Sequence, residues 1–118
     1  MSKKKILVVD DDADIIASMK AVLESKDHAV FTAVNEKECM EQFLKENPDI
    51  VFLDLMMEKY DSGITLCKAI REKNVSVKVY LLSAVGDETA GTLDVHEIGF
   101  NGAMSKPVTP AELLDLVE

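Results

Sequence analysis

Carboxylates stand at two places in this 118-residue chain where an apolar run stops. Lys5-Ile6-Leu7-Val8-Val9 runs into Asp10, Asp11 and Asp12, and Ile50-Val51-Phe52-Leu53 runs into Asp54. Burying an unpaired charge is costly, so these acids belong at strand ends, where a sheet opens onto solvent and ligands. Brought together, several carboxylates repel and raise one another's pKa. A hard divalent cation removes that conflict, and magnesium, with its preference for oxygen ligands and retained waters, suits the set. Two further strand ends carry chemistry: Ser83 and Lys106. A hydroxyl and an ammonium beside a metal-bound carboxylate make sense for an arriving phosphoryl group, whose oxygens the metal, Lys106 and Ser83 would share. With Asp54 as a carboxylate nucleophile, the product is an acyl phosphate. Each residue also has a plainer reading. Asp12 caps a helix, Asp54 is an ordinary loop-edge acid, Ser83 forms a turn and Lys106 is a solvated lysine. Of the last two, Lys106 is the better functional candidate, because Pro107 fixes its direction.

The elements that must position these residues alternate regularly. Runs over 5–9, 29–33, 50–54 and 77–82, with a shorter, less apolar one over 101–105, read as strands, and the continuous apolar pattern before Asp54 is that of a strand buried on both faces. Between them lie helical patterns over 13–25, about 36–46, 63–73 and 87–98, the fourth weakened by Gly91, Thr92 and Val95. The second helix puts Cys39, Met40, Phe43 and Leu44 on its apolar side behind an Asn35/Glu38 capping box. Thr109-Pro110-Ala111-Glu112 opens a last helix with an N-cap, Pro at the first position and Glu at the third. Five β–α units in succession force a parallel sheet with right-handed crossovers. The expected architecture is α/β: a flavodoxin-like three-layer sandwich with a five-stranded sheet of order 2-1-3-4-5. Its switch point lies between strands 1 and 3, which brings Asp10, Asp11 and Asp54 together.

Composition narrows the function classes. At 118 residues, 47% hydrophobic and mean hydropathy +0.06, the chain reads as one soluble domain spanning 1–118. No apolar run is long enough to cross a bilayer, and the Met-Ser-Lys-Lys-Lys start lacks the apolar stretch of a signal peptide. Cys39 and Cys67 have no disulfide or zinc spacing and read as small hydrophobes of a reducing cytoplasm. A net charge of −9 argues against direct nucleic-acid binding by this domain. His28 and His96 fit no metal or phosphotransfer pattern, His28 being placed in the turn before strand 2 and His96 on a helix surface.

The set Val8-Val9-Asp10-Asp11, Leu53-Asp54-Leu55-Met56-Met57, Leu82-Ser83-Ala84 and Ser105-Lys106-Pro107-Val108 resembles the receiver domain of bacterial two-component response regulators. The resemblance runs from about Lys4 to the last residue. It implies that Asp54 is the phosphoacceptor, served by a sensor histidine kinase, a phosphotransfer protein or a small phosphodonor. It implies magnesium, replaceable by manganese, on Asp11, Asp54 and the Met56 backbone carbonyl, with Asp10 acting largely through water. Ser83 and Lys106 would contact the phosphoryl oxygens. The face of helix 4, strand 5 and helix 5 would then change toward a downstream protein or output domain, the domain being a monomer or a phosphorylation-dependent dimer. On this reading the domain is a signalling module and catalyses only its own phosphorylation and dephosphorylation.

The chain departs from that family in three places. Glu58 stands where Pro is usual and Gly63 falls one residue late, so the loop after Asp54 is longer and more acidic. Ala103 occupies the position of a switching aromatic, so Ser83 has no ring to move with. Met56 and Val85, two beyond Asp54 and Ser83, are apolar, which predicts poor placement of an attacking water and a long-lived phosphoryl group. Competing readings are a receiver-like scaffold that is never phosphorylated, a haloacid-dehalogenase-type phosphatase on Asp10-Asp11-Asp12-Ala13-Asp14, and a flavodoxin-like FMN carrier. The phosphatase needs Thr or Val where Asp14 stands, and an acidic first loop repels the FMN phosphate.

Overall fold

The computed structural model describes residues 3–59, 61–83 and 95–118. Strands β1 (Lys5–Val9), β2 (Ala29–Ala33), β3 (Ile50–Asp54), β4 (Lys78–Ser83) and β5 (Gly102–Ser105) alternate with helices. The helices are α1 (Ala13–Glu24), α2 (Glu36–Glu46), α3 (Ser62–Lys73), α4 (Val95–Ile98) and α5 (Pro110–Val117). The first part of the helix expected over 87–98, and Val85, lie outside the described residues.

All strand pairs are parallel and the order is β2-β1-β3-β4-β5, as the β–α alternation requires. Because successive side chains point to opposite faces, the central strands feed two separate cores. Leu7, Val9, Val51, Leu53, Val79 and Leu81 pack under α2 and α3, together with Cys39, Phe43, Leu66, Cys67 and Ile70. Ile6, Val8, Ile50, Phe52, Tyr80 and Leu82 pack under α1 and α5, with Met19, Leu23, Leu113 and Val117. Phe52 and Tyr80 stack there, ring centroids 5.6 Å apart.

Local chemistry sets the helix starts. The Asp12 carboxylate accepts from the Asp14 N–H at 2.9 Å, and the Thr109 hydroxyl accepts from Glu112 at 3.2 Å. Asn35 accepts from Glu38 at 2.8 Å, but the return arm of the expected capping box goes one residue further back: the Glu38 carboxylate accepts from the Val34 N–H at 3.3 Å. One expectation is corrected. Leu44 is 62% exposed: Cys39 and Phe43, four residues apart, take the inward stripe, and Leu44 lies about 100° round the helix from Phe43. His28 stands directly before β2 as expected and is buried, its Nδ1 accepting the Lys4 N–H at 3.1 Å.

Arg71 fastens the far end of the sheet. Its guanidinium donates to the carbonyls of Gly99 (2.8 Å), Asn74 (3.4 Å) and Val77 and to the Asn101 side chain (2.8 Å). That same Asn101 oxygen accepts from the Val79 N–H at 2.8 Å, so one arginine ties the end of α3 to the entries of β4 and β5. Gly99 has φ +126°, and a Cβ there would lie 3.1 Å from the Arg71 Cγ. Glycine is required at that crossing.

Candidate functional site: the carboxylate cluster at the sheet edge

The side-chain alternation that separates the two cores also aims the site. Asp10 continues the Ile6, Val8 series and Asp54 the Ile50, Phe52 series, with Val8 opposite Phe52 in the ladder. Both acids therefore emerge on the α1/α5 side. Asp10 is fully buried, and its N–H donates to the Ala33 carbonyl at 3.1 Å, which prolongs the line of β1 by one residue. Its Oδ1 accepts from the Asp12 N–H at 2.9 Å, so the turn into α1 forms around this carboxylate. Asp54 is 5% exposed, and Asp11 is exposed. One carboxylate oxygen from each of Asp10, Asp11 and Asp54 lies within 4.8 Å of the others.

Lys106 closes the cluster. Its Nζ stands 2.8 Å from Asp10 Oδ2 and 2.9 Å from Asp54 Oδ1, bridging strands that share no chain connection. Its backbone N–H donates to the Ser83 carbonyl at 2.7 Å, and the Lys106–Pro107 peptide is cis. Burial pushes the Asp54 carboxyl up to about 6, and Asp10 pushes the same way, against the lowering pull of the Lys106 ammonium. Burial alone would lower the Lys106 pKa, but the paired carboxylates outweigh it and hold the ammonium above its ordinary value.

One ammonium among three carboxylates leaves the cluster two negative charges in excess. The donors are oxygens only, with no thiolate or imidazole among them, which suits magnesium, manganese or calcium over zinc. The residues thus fit a hard divalent cation.

Of the residues singled out in the sequence, Asp10, Asp11, Asp54 and Lys106 come together directly. Ser83 is buried at the end of β4, in register with Ser105, and joins the group through its backbone carbonyl. Met56 follows β3 and is 44% exposed. Ala103 lies exposed on β5 opposite Leu81, and Pro107 is exposed. Two features escaped the sequence. Gly63 donates its N–H to the Leu55 carbonyl at 2.9 Å, and a Cβ on it would sit 2.6 Å from the Asp54 carbonyl oxygen. Glu36, Glu58 and Ser62 form hydrogen bonds between α2 and the loop after Asp54. A glycine beside a helix start was the only signal for the first, and nothing in the sequence marked the second.

Fold and site together define an open α/β domain whose switch point carries an acidic cluster closed by a lysine. The family model for the response regulator receiver domain matches residues 6–118, and the chain belongs to that family. It is 36% identical over 110 residues to the alkaline phosphatase synthesis transcriptional regulatory protein PhoP of Bacillus subtilis (strain 168), covering 93% of this chain and 45% of that protein. It is 37% identical over 113 residues to the transcriptional regulatory protein ResD of the same organism, covering 96% of this chain and 46% of ResD. The chain thus spans less than half the length of these curated relatives. Among solved structures, a putative response regulator from Chloroflexus aurantiacus J-10-fl superposes with a TM-score of 0.86 at 30% identity, covering 98% of this chain and 95% of that one. The protein is therefore a signalling module of two-component systems, homologous to transcriptional regulators. Among the described residues no helix is long and apolar enough to cross a membrane.

Proposed function

We propose that residues 1–118 form a single receiver domain that accepts a phosphoryl group on Asp54 from a histidine kinase, a phosphotransfer protein or a small phosphodonor. The observation that carries this reading is the Lys106 ammonium set between Asp10 and Asp54 beside the open carboxylate cluster. Asp10, Asp11, Asp54 and the Met56 backbone carbonyl would hold magnesium, or manganese in its place. Held there, such a cation would supply the positive charge that offsets the excess carboxylate charge and that of incoming phosphoryl oxygens.

The chain's own residues supply the rest. An Asp54 carboxylate oxygen attacks phosphorus in line; the new O–P bond forms as the donor's P–N or P–O bond breaks, and the leaving group departs with that electron pair. Lys106 turns from its carboxylate partners toward the arriving oxygens, and the Ser83 hydroxyl donates to another. These contacts exist only with the phosphoryl group present, so they favour whichever arrangement of the strand ends makes them best. The face of α4, β5 and α5 carries that change to an output domain or a separate protein in the cytoplasm, without an aromatic at position 103. The transcriptional relatives favour an output in gene regulation, executed outside this acidic domain.

The test is intact mass after incubation with a small acyl phosphate, with and without magnesium, on the wild type and Asp54→Asn. One phosphoryl group added to the wild type alone, and only with the metal, is expected. No addition to a folded, metal-binding protein would sink the proposal in favour of a phosphorylation-independent scaffold.

A further inference from the structure

The loop after Asp54 is fastened at two places away from the carboxylates. Its base is closed on β3, where Gly63 returns against Asp54 and Leu55 so tightly that only a hydrogen fits in place of a Cβ. A loop closed only at its base can still tilt as a flap. The second fastening is on α2. The N–H of Glu36, one of the donors left over in the first turn of a helix, donates to the Glu58 carboxylate at 2.9 Å. A carboxylate at that end of a helix is also favoured by the helix dipole. The fully buried Ser62 hydroxyl donates to Glu36 Oε2 at 2.9 Å and accepts from the Lys59 N–H at 3.0 Å. The Lys59 ammonium stands 3.9 Å from Glu36 Oε1, and the Met57 N–H donates to the Lys59 carbonyl at 3.2 Å. Glu36 thus engages the loop through both its backbone and its side chain.

We propose that Glu58 and Ser62, acting through Glu36, are positioning residues: they strap the loop to α2 and fix where the Met56 carbonyl stands relative to the carboxylate cluster. This rests on the reading that the cluster and that carbonyl hold a divalent cation. Groups that orient a metal ligand without touching the metal commonly matter about tenfold or more in affinity. A strap bonded to α2 makes the metal site sensitive to that helix.

The experiment is magnesium titration calorimetry on the wild type, Glu58→Gln, Glu58→Ala and Ser62→Ala at physiological salt. Backbone amide exchange is followed on the same proteins in EDTA. Gln and Ala remove the same charge, but only Gln can still accept the Glu36 N–H, so the difference between them isolates the strap. Glu58→Gln is expected within about threefold of wild type, and Glu58→Ala and Ser62→Ala about five- to tenfold weaker than Glu58→Gln. In metal-free Glu58→Ala the Glu36 and Lys59 amides should exchange about tenfold faster, with the β3 and β4 amides unchanged. Equal affinities for Glu58→Gln and Glu58→Ala, or unchanged exchange at Glu36 and Lys59, would overturn the strap. A wild type that binds no magnesium would overturn the metal reading and with it the role given to Met56. The exchange data would then still decide separately whether the strap exists.

Discussion

Asp54→Asn is expected to stabilise the metal-free domain at neutral pH, although it removes the residue around which the site is built. Asp54 is 5% exposed, and burial with Asp10 beside it pushes its carboxyl from an ordinary 3.8 up to about 6. The folded state therefore binds this proton more tightly than the unfolded chain does. The stability contributed by that preference is complete below the unfolded pKa and is lost as pH rises through about 6. A shift of about two units corresponds to ~3 kcal/mol. Water at the open sheet edge screens part of it, so a gain of ~1–2 kcal/mol is the working figure for Asn at pH 7.5. The lysine is not orphaned by the change, because Asp10 Oδ2 remains 2.8 Å from Lys106 Nζ. Urea unfolding followed by circular dichroism in EDTA should show the full gain at pH 7.5 and most of it gone near pH 4.5. With magnesium at about a hundred times its dissociation constant, the wild type should gain ~2.7 kcal/mol and overtake the variant. An Asn variant less stable than wild type at pH 7.5, or a gain equal at both pH values, would refute the electrostatic argument.

Arg71→Met keeps much of the aliphatic stem but takes the arginine donor from three carbonyls, while the Asn101 oxygen keeps the Val79 N–H, so a loss of ~2–3 kcal/mol in urea unfolding is expected. Gly63→Ala puts a methyl 2.6 Å from the Asp54 carbonyl oxygen and 2.9 Å from the Leu55 Cα, both backbone atoms that cannot step aside. It should cost ~2–3 kcal/mol and weaken magnesium binding in calorimetry. Leu44→Glu, at a position 62% exposed, should change stability by less than ~0.5 kcal/mol in the same unfolding assay. If Asp54 accepts a phosphoryl group as proposed, apolar Met56 beside the site should let that group outlast a free acyl phosphate. Mass spectrometry over time would measure that, and Met56→Asn should shorten the lifetime by placing a water.

The site was legible because its signal is local and repeated: an apolar strand that ends abruptly in Asp, or in Ser or Lys. Strand order then did the assembly, since parallel alternation with short connections leaves few topologies, and the order that resulted sets Asp10 against Asp54. What stayed hidden depends on pairs distant in sequence with no periodicity. Arg71 looks like a surface cation on the last turn of a helix, and its acceptors at Val77, Gly99 and Asn101 are known only once the chain is folded. Glu36, Glu58 and Ser62 read as ordinary polar residues of a helix start and a loop. Leu44 misled for a different reason: adjacent apolar residues suggest a broad stripe, and a single 100° step carries one of them out of it.

The two thiols make one half of this molecule chemically observable. Cys39 on α2 and Cys67 on α3 are fully buried in the same core, and burial pushes their pKa values up to about 12 and about 11. In the closed protein they should be inert to alkylating reagents, since only the thiolate reacts readily. The opposite core, under α1 and α5, contains no cysteine. Labelling kinetics under native conditions therefore time only those openings, local or global, that expose the α2/α3 core. Any ligand that quiets Asp54 but leaves the labelling rate unchanged must act without tightening the α2/α3 side of the sheet.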